Sequence, residues 1–319
     1  MFGFGCAQKN NEPVDSLKET VYTNFVINTH DWTNPEESIA TLNKILDLHE
    51  KYQLPVDIYL DDQVTQIFTA QAPELIERLK TSSVVAVSYH LRPPYPYYWG
   101  YDWLGFDKMS SQEIETTLRD YEEHKIDLAT GQPTDEPGGY QFLKDLMGYP
   151  PYAAVVMGSK KVASILGKIY KEKGAVFNVT HSGITAWGEI KDGLWMRPES
   201  LEVKVYEIKT RKSGEDFLTE ALEELGDTRP TFLNLKWHEN NFYTSGTPWG
   251  PVYSIDGKDS GMLTPSYDLS QAMVGVKVKT QAEQDEQWTR YEECLSYVKD
   301  HPEIFTAINA KDLVEMINL

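Results

Sequence analysis

A chain of 319 residues with 49 acidic and 30 basic side chains carries a formal net charge of −19. That balance argues against nucleic acid and anionic membrane surfaces as partners, because both repel it. Two cysteines, Cys6 and Cys294, exclude a disulfide framework and leave no Cys-x-x-Cys pair for zinc, and no apolar run approaches the ~20 residues that span a bilayer.

Residues 1–20 read as a tether. Its opening, "MFGFGCAQKNNEP", contains a small-residue, Gly, Cys junction like the end of a bacterial lipoprotein signal; an unstructured N-terminus is the alternative. In the first case Cys6 bears a lipid anchor and the protein belongs to the cell envelope or periplasm. In the second it is cytoplasmic. From residue 21 to 319 no linker or repeat interrupts the chain, which predicts one domain of a length that strand–helix barrels commonly reach.

The elements alternate. "NFVIN" (24–28) reads as a strand. A helix follows, with Asn34 as its cap, Pro35 in the first helical position, and Ile39, Leu42, Ile45, Leu46 and His49 on one face. "VDIYL" (56–60) is a second strand, "APELIERLK" a helix and "SVVAVSY" (83–89) a third strand. The pattern continues with a serine-capped helix from Ser110 to Thr130, a strand "YAAVVM", a helix ending at Gly174, and the strands "AVFNVT" and "LEVKVYEI". The helix "GEDFLTEALEELG", the strand "TFLNLKW" (231–237), a long Gly/Pro/Ser-rich loop, a helix through Asp300, the strand "IFTAIN" and a final helix complete the chain. Seven or eight strands in this order predict a parallel sheet closing into a (β/α) barrel. An open doubly wound sheet competes, but no glycine-rich phosphate turn follows the first strand.

In parallel α/β architectures the working residues gather at the C-terminal strand ends. His49, His124 and His301 fall in or beside helices and read as structural or solvent-facing. His30, His90, His181 and His238 each end a strand, as do Asp31, Asp61 and Asp62. Imidazoles and carboxylates on one rim suit Zn²⁺ or a related divalent ion, which acidifies water and polarises a carbonyl while neighbouring groups move the proton. No Gly-x-Ser-x-Gly elbow supports a serine hydrolase.

The pieces "VINTHDW", "LPVDIYLDD", "PELIERLKTSSVVAVSYH", "FLNLKWHE" and "KDHPEIFTAINAKDLVEMI" resemble the polysaccharide deacetylase (NodB-homology) superfamily, as a divergent member. The resemblance implies an incomplete, roughly seven-stranded (β/α) barrel and a metal-dependent hydrolase that removes an acetyl group from an N-acylated sugar or polysaccharide. It casts Asp31 as metal ligand or general base, His90 as metal ligand, and His238 as ligand or general acid. Zinc is the implied ion and carbohydrate the implied partner. Two departures stand out. The usual pair of adjacent aspartates is here His30 and Asp31, and the second histidine of the family's later motif is replaced by Pro94; His238 or His30 is expected to fill the gap.

Two aromatic loops leave strand ends on the expected rim. "RPPYPYYWGYDWLGF" follows His90 and offers Arg92, Tyr95 and Trp99; "WHENNFYTSGTPWG" offers Trp237 and Glu239. With His30, Asp61, Asp62 and His181 these are the candidate substrate contacts, since flat rings beside polar groups suit sugars. Two alternatives accompany the hydrolase: a non-catalytic carbohydrate-binding protein on a degenerate scaffold, and a glycoside hydrolase using Asp61 or Asp62.

Overall fold

The computed structural model describes residues 19–91, 93–98, 101–179, 184–204, 212–255 and 261–317; Cys6, Arg92, Trp99 and His181 lie outside the described residues. Ten strands share one curled, open sheet. They are β1 (Val21–Thr29), β2 (Val56–Leu60), β3 (Val85–Tyr89), β4 (Ala153–Val155) and β5 (Phe177–Val179). The second set is β6 (Ile190–Lys191), β7 (Leu194–Met196), β8 (Leu201–Lys204), β9 (Thr231–His238) and β10 (Phe305–Ala307). The spatial order is β6-β7-β5-β4-β3-β2-β1-β9-β8, with β10 paired to the first three residues of β1. Every pairing is parallel except that of β6 with β7. The incomplete (β/α) barrel expected from the sequence is the architecture observed.

Flanking helices are α1 (Pro35–Tyr52), α2 (Asp62–Gln71), α3 (Pro73–Thr81), α4 (Ser111–Glu123), α5 (Gly139–Met147), α6 (Lys160–Lys173), α7 (Gly214–Leu225), α8 (Gln281–Asp300) and α9 (Ala310–Ile317). Among the described residues, no helix is long and apolar enough to cross a membrane. Helices α2 and α5 were not anticipated, and α4 ends at Glu123 rather than Thr130. His124 instead opens a short antiparallel ladder with Pro137. The returning chain then presses onto the end of α4: Gly139 has φ +59°, and a Cβ there would lie 2.5 Å from the Glu122 carbonyl carbon. Only glycine tolerates both that conformation and that approach.

Strand alternation divides the sheet into two unlike faces. Outward, β1 presents Phe25 and Ile27, β2 Ile58 and Leu60, β3 Val87 and Tyr89, and β9 Leu233, Leu235 and Trp237, all fully or nearly fully buried. These rings meet the helices: Trp237 packs edge-on against Tyr291 of α8 at 4.8 Å, and Tyr89 against Tyr140 of α5 at 5.6 Å. Inward, the same strands present Asn24, Asn28, Asp57, Tyr59, Ser88, Asn234 and Lys236, also buried.

The inner polar groups satisfy one another across the hollow. Arg197, just past β7, pairs with Asp57 of β2 at 3.1 Å and donates to Tyr59 Oη and Asn234 Oδ1, both at 3.3 Å. In strand order β7 stands four places from β2, so this contact spans the curl. Lys236 forms a second buried ion pair, with Glu202. Removing one partner from such a pair strands a charge in low dielectric at a cost of about 3–5 kcal/mol.

Candidate functional site at the C-terminal rim

The inward rows of β1, β2, β3 and β9 continue upward, two residues per step, to His30, Asp61, His90 and His238. Three imidazoles meet there. The His30 ring lies 4.7 Å from His238 and 5.5 Å from His90, edge-on to both. Trp249, from the loop after β9, closes over His30 at 4.2 Å with the planes at 81°. His30 and His90 are buried; His238 is partly exposed. His90 Nδ1 contacts the Leu91 carbonyl at 2.7 Å, and a carbonyl only accepts, so Nδ1 carries a proton in that bond.

Glu239 is fully buried beneath this cluster. Its Oε1 accepts from the backbone N–H groups of His30 and Asp31, at 2.7 and 2.5 Å. Its Oε2 is buried with no hydrogen-bond partner among the described residues. Burial, and then the charge of Asp31, push its carboxyl up to about 8 against the pull of the two N–H groups. Near neutral pH it therefore holds a proton for most of the time.

The aspartates do different work. Asp31 Oδ1 accepts from the Thr33 N–H and hydroxyl, and Oδ2 from Asn34 Nδ2 at 3.0 Å and Tyr243 Oη at 2.7 Å. Asn34, expected to cap α1, makes no side-chain cap bond there because its amide turns to Asp31. Asp61 caps α2 by accepting from Val64 N at 2.8 Å. Asp62 accepts from Gly139 N at 3.0 Å, and burial, opposed chiefly by that N–H, pushes its carboxyl up to about 6.

No protein-family model matches the sequence, and no curated protein matches it significantly. Among solved structures, a candidate polysaccharide deacetylase from Mycobacterium smegmatis aligns over 96% of this chain and 93% of its own, at 10% identity and a TM-score of 0.51. A second protein assigned as a polysaccharide deacetylase, from Pseudomonas aeruginosa PAO1, aligns over 93% of this chain and 90% of its own, at 13% identity and a TM-score of 0.50. The fold is that of the polysaccharide deacetylases. A 4-α-glucanotransferase from Thermococcus litoralis also aligns with 70% of this chain, at 11% identity and a TM-score of 0.42, but the chain spans only 34% of that protein.

A polysaccharide-deacetylase fold raises the question of a metal. Such an ion needs three side-chain donors converging at about 2.0–2.2 Å on one point. Among the described residues, no three His, Cys, Asp or Glu side chains gather closely enough to hold one, and both Asp31 oxygens are occupied. The described residues do not fit the ion that the resemblance implies.

Other expected contacts are placed elsewhere. Trp237 points outward between Phe25 and Tyr291, because it stands one residue out of phase with His238. Tyr95 is buried and donates its hydroxyl to Glu122. His49 is structural, as expected: its ring nitrogens contact the Leu54 carbonyl at 2.8 Å and Tyr291 Oη at 2.6 Å. Sequence reasoning missed Arg197, whose segment between short strands has no periodic pattern, and the place of Trp249, which depends on the tertiary path of its loop.

Proposed function

We propose that this protein is a carbohydrate-directed hydrolase that removes the acyl group from an N-acylated sugar at the imidazole cluster. The meeting of His30, His90 and His238 above a buried, proton-bearing Glu239 carries this reading. His238, the most exposed of the three, takes a proton from the attacking water as the new C–O bond forms. It returns that proton to the nitrogen as the C–N bond breaks, giving a free amine and a carboxylic acid. His30 lies edge-on to His238 and orients it, and Trp249 packs edge-on against His30. Glu239 fixes the end of β1 through two N–H groups; while protonated it sets no negative charge against the oxygen that gains charge in the transition state.

A second reading, a non-catalytic carbohydrate-binding protein, is favoured by one observation: the Asp31 carboxylate is engaged on both oxygens by four donors. The glycoside-hydrolase alternative is weaker, since Asp61 and Asp62 each accept from a helix-start N–H group. Incubation with N-acetylated oligosaccharides, with and without chelator, separates the readings. Released acetate supports the hydrolase, saccharide binding without acetate supports the binding protein, and neither outcome overturns both.

A further inference from the structure

Between β9 and α8 the chain leaves the barrel and returns through a narrow neck, where Thr244 pairs with Val278 and Ser245 with Lys277, antiparallel. Beyond the neck, the described residues 246–255 and 261–276 fold onto themselves. Trp249, Val252, Tyr253 and Tyr267 form a buried apolar cluster separate from that of the barrel, and the Tyr253 and Tyr267 rings meet edge-on at 4.9 Å. Ser254 bridges to Met262, and Met273 N donates to the Pro248 carbonyl at 2.8 Å. A unit with its own core and its own backbone bonds can move as one body.

The neck has the geometry of a hinge. Gly246 on the outgoing limb has φ +91° and Gly275 on the returning limb φ +75°, a region that residues with a Cβ rarely enter. Nothing lies within 4 Å of where a Cβ would stand on either. The limbs instead border an open cavity of about 450 Å³, with Ser245 and Thr247 on one side and Val274 and Val276 on the other. Rotation about the two glycines meets space rather than packed side chains.

The far end of the unit is held to the barrel by neutral hydrogen bonds. Tyr267 N donates to the Ala129 carbonyl at 2.6 Å, and Tyr253 Oη to the Leu128 carbonyl at 3.2 Å. Tyr101, from the loop after β3, donates to the Leu263 carbonyl at 2.6 Å. Nearer the neck, Asn34 Nδ2 contacts Met273 Sδ at 3.2 Å, and Trp32 packs against both the unit's cluster and the barrel's. Bonds of this kind exchange for bonds to water at small net cost. On the inner side, Trp249 stands edge-on over His30 at 4.2 Å. His30 is only 1% exposed, whereas His238 keeps part of its surface.

We propose that this unit is a hinged lid, closed in the structure, which turns about Gly246 and Gly275 and releases the bonds of Tyr101, Tyr253 and Tyr267 to uncover His30. Opening gives a bulky substrate room at the imidazole cluster, and closing returns Trp249 to His30. The lid's purpose rests on the hydrolase reading, but its motion is measured without substrate. Diethyl pyrocarbonate, which acylates accessible imidazoles, is applied to wild type and to the double variant Tyr101→Phe/Tyr253→Phe, and each histidine is followed by peptide mass spectrometry. His49, fully buried on α1, reports unfolding of the barrel, and the partly exposed His124 reports the reagent. His30 is expected to react faster than His49 in wild type. In the double variant its rate is expected to rise at least about fivefold, the scale of one lost neutral hydrogen bond, with His49 and His124 unchanged. If His30 reacts no faster than His49, or at the same rate in both proteins, the lid is overturned. Acetate release by wild type is scored separately: a moving lid over a cluster that releases none leaves the lid standing and ends the hydrolase reading.

Discussion

Two fully buried glutamates, Glu122 and Glu239, show how differently this molecule treats a carboxyl group. Glu122 on α4 sits in a cage of tyrosines outside the sheet: Oε1 accepts from the Tyr95 and Tyr170 hydroxyls and Oε2 from the Tyr140 N–H at 3.2 Å. Its oxygens are satisfied, and the cage ties the aromatic loop to α5 and α6. Glu239 engages only one oxygen and leaves the other buried without a partner under the imidazole cluster. Satisfied buried polar groups stabilise a fold, whereas an unsatisfied one marks a place where stability has given way to another demand.

The sharpest way to break this contrast is to exchange the two groups' fates. Glu122→Ala strands two hydroxyls and one N–H, and is expected to cost about 2–4 kcal/mol in urea unfolding. Glu239→Gln keeps an acceptor for the two backbone N–H groups and the neutral state of the protonated acid, so near pH 7 its unfolding midpoint and its acetate release should both stay close to wild type. Equal destabilisation by the two changes contradicts the contrast.

A pH series sharpens it further. Burial raises the folded-state pKa of Asp62 to about 6, of Glu122 to about 7 and of Glu239 to about 8. A raised carboxyl binds its proton more tightly folded than unfolded. Its stabilising effect is therefore complete below the ordinary carboxylate pKa of about 4 and is lost as pH rises through the folded value. The share from Glu122 is of the order of 3 kcal/mol. Urea midpoints should fall from pH 5 to pH 9, and the slope between pH 5 and 7 should flatten in Glu122→Gln. A midpoint that rises over that interval contradicts the assignment.

Smaller effects test two residues, Asp61 and Tyr95, that were expected to act on substrate. Asp61→Ala removes the cap of α2 and should cost about 1 kcal/mol. Tyr95→Phe deletes one hydrogen bond to Glu122 and should cost about 1 kcal/mol, read by thermal unfolding.

Much of the scaffold was legible because period-two and helical patterns are local. The strand "VDIYL" already placed Asp57 on the face opposite Val56, Ile58 and Leu60, and a buried charge there required a partner that only the fold revealed as Arg197. Glu122 left a sequence signal that went unused: it shares the buried helical face of Ile114, Leu118 and Tyr121. Trp237 was misplaced by treating a strand-end aromatic as rim surface when its parity matched Leu235. The engagement of Asp31 with Tyr243, 212 residues away, has no local signature at all.

The central claim is that the imidazole cluster performs hydrolysis, with His238 as its proton carrier. Acetate release from an N-acetylated oligosaccharide by His238→Ala, beside wild type of equal unfolding midpoint, tests it most directly. A fall of about 100-fold or more agrees with general acid–base catalysis by that side chain, and release at the wild-type rate contradicts it.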